Sequence, residues 1–242
     1  MKRVIMEVLS TEQIAKSVYK TIFRGDVSGI TNAGQFVNVK VDELFLRRPV
    51  SVCDLGENSL TLVFKTVGKG TEMLSQSKYG DKFDMLTGLG NGYDLAVAGN
   101  KPLLIGGGVG VPPLYLAAKK LIESGKSVSV ALGFNGKEDV FFVREFEKLG
   151  CTVKVSTVDG SFGKKGFVTS VLPEDYSYFY ACGPEPMLKA VYNATKTDGE
   201  FSFEERMGCG FGACMGCSCK TLAGAKRICK DGPVIKKGEI LW

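Results

Sequence analysis

Five cysteines crowd into residues 209–229 of this 242-residue chain, and four of them are spaced as ligands. Four residues separate Cys209 from Cys214, two separate Cys214 from Cys217, and eleven lead on to Cys229. That is the pattern by which four thiolates hold a plant-type 2Fe-2S cluster. Gly210, Gly212 and Gly216 lie among them, so the loop can take the turns that bring backbone N–H groups to the sulfurs. Cys219 does not fit the four-ligand spacing and is read as a bystander. A tetrahedral zinc site with four cysteine ligands is the alternative for the same group, although zinc usually prefers paired C-x2-C units and only one such pair stands at ligand spacing here.

An iron-sulfur centre moves single electrons, so the upstream sequence must supply a source or a sink for them. The chain has no histidine, which removes Ser-His and Cys-His nucleophilic catalysis, His-ligated zinc and Rieske centres together. Chemistry on such a chain belongs to bound cofactors, and three stretches have the residues to hold them. Arg48-Pro49-Val50-Ser51 offers an arginine fork, and Gly68-Lys69-Gly70-Thr71 offers a glycine-flanked helix start; together they suit a pyrophosphate. The loop Gly106-Gly107-Gly108-Val109-Gly110-Val111-Pro112-Pro113 departs from the dinucleotide fingerprint, because Val111 or Pro113 stands where its third glycine belongs. Glycines at 107, 108 and 110 still let the backbone come close to a diphosphate, and proline suits the first turn of a helix. Cys182-Gly183-Pro184 ends a later strand, where open α/β sheets bind their ligands and a nicotinamide ring could reach it. The Cys182 thiol itself is read as buried and inert.

The elements that position these residues fall into three segments. Residues 1–99 are β-rich, with short runs at Val4–Val8, Thr21–Phe23, Phe36–Val41 and Leu60–Thr66 that point to a small antiparallel barrel. One helix is expected there, capped by Thr71 and ending near Gly80. Residues 100–200 alternate strand and helix. Strands are expected at Leu103–Ile105, Ser127–Leu132, Thr152–Val158 and Ser177–Cys182, with helices after the glycine loop, at Asp139–Leu149, near Phe167–Leu172 and at Glu185–Thr195, giving a doubly wound parallel sheet. Residues 201–242 form a small cysteine module entered through a strand-like Glu200–Arg206.

Composition narrows the class further. Apolar residues make up 44% and charged residues 24%, as in ordinary globular proteins. The longest apolar run, Leu103–Ala118, is broken by glycines and prolines and falls short of the roughly 20 residues a spanning helix needs. Met1–Ser10 has no signal-peptide pattern, and eight cysteines without one point to metal ligands and buried thiols in the cytoplasm. A net charge of +5 with no long basic run argues against nucleic acid. The tail is locally basic, with Lys220, Lys226, Arg227, Lys230, Lys236 and Lys237 as a candidate docking face.

Taken in order, Gly34-Gln35-Phe36-Val37, Arg48-Pro49-Val50-Ser51, Gly68-Lys69-Gly70-Thr71, Leu89-Gly90-Asn91-Gly92, the Gly106–Pro113 loop, Cys182-Gly183-Pro184, Arg206-Met207-Gly208-Cys209 and Cys229-Lys230-Asp231-Gly232-Pro233-Val234 resemble the ferredoxin reductase superfamily. More narrowly they resemble the electron-transfer subunits of two-subunit, NAD-dependent bacterial dihydroorotate dehydrogenases, over essentially the whole chain. The last two motifs are the most specific. The resemblance implies FAD on the barrel, NAD on the α/β domain and 2Fe-2S on Cys209, Cys214, Cys217 and Cys229. It implies Arg48 at the FAD pyrophosphate, Ser51 near the isoalloxazine with Pro49 and Val50 of the same motif also at the cofactor, Gly70 and Thr71 in the phosphate cradle, and Val63, Phe64 and Lys65 on the adenosine side. Val50 stands where the wider superfamily has a flavin-stacking tyrosine. Gly107, Gly108, Gly110, Cys182, Gly183 and Pro184 would hold the nicotinamide nucleotide, and Glu138 and Asp139 favour NAD over NADP. The implied partner is an FMN-containing catalytic subunit, two copies of each chain together, acting in pyrimidine synthesis, with no catalytic acid or base on this chain. The rivals are the small subunit of an NADH-dependent ferredoxin:NADP+ oxidoreductase or sulfide dehydrogenase, which has the same cofactors, and a zinc-binding adaptor.

Overall fold

Met6 and Val8 are wholly buried while Ile5 before them is exposed and Glu7 between them is half-buried, the period-2 signature of a strand with one face on a core. The computed structural model describes all of residues 1–242. Strands β1 (Lys2–Ala15), β2 (Val18–Arg24), β3 (Phe36–Val39), β4 (Arg48–Leu55), β5 (Ser59–Lys65) and β6 (Lys82–Leu89) close into an antiparallel barrel in the order β1-β2-β5-β4-β3-β6. The single helix of this unit, α1 (Lys69–Ser75), joins β5 to β6. It starts two residues before the expected cap and stops five before Gly80. Thr71 lies inside it, and its hydroxyl donates to the Gly68 carbonyl at 2.9 Å and accepts the Val67 N–H at 2.9 Å, tying the turn together instead of capping it.

The second unit is a parallel sheet of β7 (Pro102–Gly107), β8 (Ser129–Phe134), β9 (Thr152–Thr157), the two-residue β10 (Lys164–Lys165), β11 (Tyr178–Cys182) and β12 (Gly199–Ser202). Helices α2 (Pro112–Glu123), α3 (Val143–Lys148) and α4 (Glu185–Ala194) cover it. Both faces are buried: Leu104, Val130 and Leu132 pack with Leu114, Ala117 and Phe146 on one side, while Leu103, Ile105 and Ala131 pack with Leu188 and Val191 on the other. That is why the strands read as continuous apolar runs. Two expected helices shrink. The Asp139–Leu149 segment begins as a single 3-10 turn and becomes helical only at Val143, because Phe142 sits at φ 63, in the left-handed region. The Phe167–Leu172 segment is a 3-10 turn over Val168–Val171.

The third unit is not a separate bead. After a hairpin of β13 (Ser218–Thr221) and β14 (Gly224–Arg227) and the one-turn α5 (Ile228–Asp231), strand β15 (Val234–Lys236) adds antiparallel to β12 at the sheet edge. The expected division between residues 200 and 201 therefore falls inside β12, whose four residues are all paired with β11. The strand-like stretch also ends at Ser202, well short of Arg206. The linker leaving the barrel is stitched to both other units. Asn91 accepts the Val234 N–H at 3.1 Å and donates to the Val234 carbonyl at 2.8 Å, and the Tyr180 hydroxyl donates to the Asp94 carbonyl at 2.8 Å.

Candidate functional site

On the barrel, β3 and β4 pair Phe36 with Ser51, Val37 with Val50, Asn38 with Pro49 and Val39 with Arg48. Directly opposed residues share a face. Val37, Val39 and Val50 belong to the buried barrel core, so Phe36, Asn38, Pro49 and Ser51 form the opposite face. Val50 thus serves the barrel interior, whereas Ser51 is half-buried on the outer side. Arg48 reaches α1: a Cβ on Gly70 would collide with its guanidinium. Arginine and helix start therefore form one cradle, and Gly70 is required by close approach. The chain before Arg48 is pinned by Arg47, which donates to the Asp84 carboxylate at 2.9 Å and the Asp84 carbonyl at 2.8 Å. Burial raises the Asp84 carboxyl, but the Arg3 and Arg47 guanidiniums outweigh it and hold it below the usual carboxylate range. Val63 and Phe64 are buried on β5, while Lys65 turns outward.

The α/β sheet runs β10-β9-β8-β7-β11-β12, so chain order reverses between β7 and β11. Open sheets bind ligands at such a switch point, beyond the carboxyl ends of the strands. A cleft of ≈ 390 Å³ opens there. Gly107 and Gly108 form one wall, Pro184 and Met187 another, Phe167 and Val168 a third, and Lys65 and Val18 reach in from the barrel. Lys65, expected beside FAD, thus also faces the nucleotide cleft. Gly108 has φ 51 and open space where a side chain would project, leaving its backbone free to face a diphosphate. A Cβ on Gly110 would collide with the backbone of Cys182 and Gly183, so the glycine loop and the Cys182-Gly183-Pro184 turn touch directly. Burial raises the Cys182 thiol far above its ordinary range, leaving it neutral. Of the two acids expected near the ribose, Asp139 lines the cleft while Glu138 pairs with Lys16 outside it at 3.1 Å.

In the cysteine module, Cys209 Sγ accepts the N–H groups of Ala213 at 3.2 Å and Cys214 at 3.4 Å, and Cys217 Sγ accepts the Cys229 N–H at 3.4 Å. Gly210 and Gly212 take φ 78 and 92, the conformations that turn the loop around Cys209. Cys214 neighbours Cys209 and Cys217 neighbours Cys229, and the charge of Cys209 also reaches Cys229. Burial raises the Cys209 thiol, yet the N–H groups of Cys214, Phe211 and Ala213 outweigh it and bring it down to about 6. Burial and the neighbouring Cys217 push Cys229 up to about 12. Backbone N–H groups aimed at sulfur are what an anionic iron-sulfur ligand set requires, so these residues fit the cluster. Cys219 lies on β13 and borders a separate cavity of ≈ 410 Å³ shared with Trp242. The basic tail is partly used internally: Lys226 pairs with Glu239, Arg227 with Asp231, and Lys237 donates to the Thr195 carbonyl at 2.6 Å. Lys220, Lys230 and Lys236 remain exposed.

Residues 204–241 match the iron-sulfur cluster binding domain of dihydroorotate dehydrogenase B, and residues 104–193 match the oxidoreductase NAD-binding domain. The sequence is 45% identical over 256 residues, 100% of this chain and 99% of the relative, to the dihydroorotate dehydrogenase B (NAD(+)) electron transfer subunit of Geobacillus sp. (strain WCH70). The chain belongs to this family of electron transfer subunits. The electron transfer subunit from Bacillus pumilus is 42% identical over 99% of the chain and 98% of its own length. Among solved structures, an NADH-dependent reduced ferredoxin-NADP oxidoreductase studied for flavin-based electron bifurcation superposes with a TM-score of 0.88 at 32% identity, over 98% of this chain and 90% of that one. Phthalate dioxygenase reductase shares the fold at a TM-score of 0.65 and 22% identity.

For a dihydroorotate dehydrogenase B electron transfer subunit, sequence patterns alone pass over several connecting residues. Asn38 and Glu200 are polar, and each lies at a junction between units; Asn91, at another junction, falls within the Leu89-Gly90-Asn91-Gly92 motif. Gln35 carries a signal, since it falls within a recognisable motif. Its Oε1 accepts the N–H groups of Thr31 at 2.8 Å and Asn32 at 3.0 Å, and its Nε2 donates to Gly90 at 2.9 Å. It is a clamp between barrel and linker.

Proposed function

We propose that this chain is the electron-transfer subunit of a two-subunit dihydroorotate dehydrogenase, exchanging electrons between an FMN-bearing catalytic partner and NAD+ in the synthesis of UMP. When bound, FAD would exchange a hydride with nicotinamide and single electrons with the 2Fe-2S cluster, which would link it to the partner. The observation that carries the reading is that three sites are joined by direct contacts. Gly110 touches Cys182-Gly183 in the nucleotide cleft, Lys65 brings the barrel to that cleft, and Asn38 joins the β3–β4 face to Cys209.

In this reading Arg48, Gly70 and Thr71 hold the FAD pyrophosphate, and Pro49, Ser51, Val63, Phe64 and Lys65 shape its bed, with Val50 behind them in the barrel core. Gly107, Gly108 and Gly110 admit the NAD diphosphate, and Asp139 accepts from a ribose hydroxyl, which favours NAD. Gly183 and Pro184 leave room for the nicotinamide over the barrel, with the neutral Cys182 behind them excluding water. Cys209, Cys214, Cys217 and Cys229 ligate the cluster. No side chain is asked to move a proton. The units are the FAD-binding barrel to residue 99, the NAD-binding sheet from residue 100 into β12, and the cluster module beyond it. We place the chain in the cytoplasm, where cluster ligands and buried thiols stay reduced; no helix is long and apolar enough to cross a membrane. The exposed Lys220, Lys230 and Lys236 form part of the docking face in a complex of two copies of each subunit.

Affinity purification of the native complex with a flavin inventory tests this. Expected are FMN, FAD and a 2Fe-2S spectrum in equal amounts, and an isolated chain that passes electrons from NADH to dyes without oxidising dihydroorotate. Dihydroorotate oxidation by the isolated chain would overturn the division of labour. The similarity to the NADH-dependent ferredoxin-NADP oxidoreductase supports a second reading, a small subunit of that enzyme type, which a large iron-sulfur flavoprotein as the co-purified partner would establish. A colourless protein holding zinc would point to the adaptor instead.

A further inference from the structure

Asn38 is 1% exposed and stands where the barrel meets the cysteine module. Its Nδ2 donates to the Cys209 carbonyl at 3.2 Å. A carbonyl only accepts, so the amide orientation is determined: the NH2 faces the cluster loop and Oδ1 faces away from it. That Oδ1 is buried and has no partner among the protein atoms. Buried side-chain acceptors in native proteins nearly always have a partner, so a donor from outside the polypeptide is expected.

The surroundings place this acceptor beside the proposed flavin bed. Asn38 shares the outer face of β3–β4 with Phe36, Pro49 and Ser51. Phe36, two residues back on that face, packs in the same apolar cluster as Cys217 and Cys229. One face of one strand pair therefore carries the flavin-binding Ser51 at one position and the contact with a cluster ligand at a neighbouring one. The approach is close enough that a Cβ on Gly210 would collide with the Asn38 amide, and Gly210 keeps φ 78. Arg47 holds the strand from behind, donating to the Asn38 carbonyl at 3.4 Å.

We propose that Asn38 is a positioning residue for the one-electron exchange between FAD and the 2Fe-2S cluster. Its Nδ2 anchors the Cys209–Gly210 backbone to β3, and its Oδ1 accepts from an N–H or O–H of the bound flavin, so a single amide sets the distance and relative orientation of the two centres. This rests on the cofactor reading above. With both groups bound, FAD would take a hydride from NADH, pass its two electrons singly through the cluster to a one-electron acceptor, and release the accompanying proton to solvent. Asn38 gains and loses neither electron nor proton.

The test uses the full chain loaded with FAD and cluster, mixed anaerobically with NADH. Flavin bleaching is followed by absorbance, and the reduced cluster by freeze-quench electron paramagnetic resonance. Asn38→Leu keeps the volume and removes both arms, and Asn38→Ser serves if the leucine variant does not assemble. Expected are a flavin that NADH still bleaches, a cluster signal that lags the bleaching by about tenfold or more beyond the wild-type interval, as for other hydrogen-bond partners of metal ligands, and a shifted cluster midpoint potential. A cluster signal and potential matching wild type in an assembled variant overturn the role of Asn38. Wild-type protein that binds no FAD or no cluster, or whose flavin NADH does not bleach, overturns the cofactor reading itself and the proposal with it.

Discussion

Replacing Glu200 by Gln should make the protein more stable at alkaline pH than at acid pH relative to the wild type. Glu200 lies on β12 between Tyr180 of β11 and Lys236 of β15 and is 2% exposed. Its carboxylate accepts the Asp94 N–H at 3.0 Å, fastening the barrel-to-sheet linker. Burial is the largest influence on it; the Asp94 N–H and Lys236 oppose, the Asp94 and Glu239 carboxylates add, and the carboxyl is pushed up to about 7. The folded protein thus holds the proton more tightly than the unfolded chain does. The stability this gives is fully present below the ordinary carboxyl value and is lost as pH rises through about 7. The change from 4.5 to about 7 corresponds to about 3 kcal/mol.

A glutamine keeps the shape and an acceptor for Asp94 but does not ionise. Its amide NH2 carries its own burial cost, which is the same at every pH, so the diagnostic is the change in the difference between the two proteins. Thermal midpoints of both, measured at about pH 5 and about pH 8.5, bracket the transition. Between those conditions the variant should gain roughly 5–10 °C on the wild type, the equivalent of about 2.5 kcal/mol in a chain of this size. Parallel pH profiles would show that Glu200 ionises at its ordinary value, and the burial argument would fail.

Serine at Cys209, Cys214, Cys217 or Cys229 should abolish the visible absorption of the cluster, whereas Cys219→Ser should retain it; loss of the spectrum in the Cys219 variant would change the ligand assignment. Gly70→Ala forces the Arg48 guanidinium aside and should weaken FAD retention in ultrafiltration by about tenfold or more, the equivalent of one charged hydrogen bond of roughly 1.5–3 kcal/mol. Gly110→Ala meets the backbone of Cys182 and Gly183, where nothing flexible can give way. It should raise the KM for NADH in dye reduction by about tenfold or more, since a misplacement on the order of 1 Å suffices for a larger loss, while leaving FAD content unchanged.

Much of the architecture is legible in local pattern. Val4, Met6 and Val8 alternate because a barrel strand buries one face, and the apolar runs at Leu103–Ile105 and Tyr178–Cys182 are continuous because helices cover both sides of the sheet. Failures occur where short-range preference is overridden. Thr71 has the chemistry of a cap, but the turn Val67–Gly68 claims its hydroxyl. Asp139–Leu149 reads as one helix, yet Phe142 takes a left-handed conformation with its ring stacked at 5.4 Å on Tyr115 of α2, a packing choice invisible in the segment itself. Val50 stands in a flavin motif, but the pairing with Val37 turns it into the barrel.

What the sequence by itself determined is the set of chemical parts: the cysteine spacing, the glycines at close approaches, the arginine before Ser51 and the absence of histidine. Each is a local fact, since ligand type, backbone freedom and charge belong to individual residues and their near neighbours. Only the tertiary structure decided how the parts are joined. β15 returns to the edge of the nucleotide sheet, so the cluster module is built into that sheet. Asn38 meets Cys209 across 171 residues, Asn91 meets Val234 across 143, and Asp94 meets Glu200 across 106. The physical reason is that a polar side chain has no distinguishing local pattern; its role depends on which buried backbone group, hundreds of ångströms away along an extended chain, folding brings within hydrogen-bond reach.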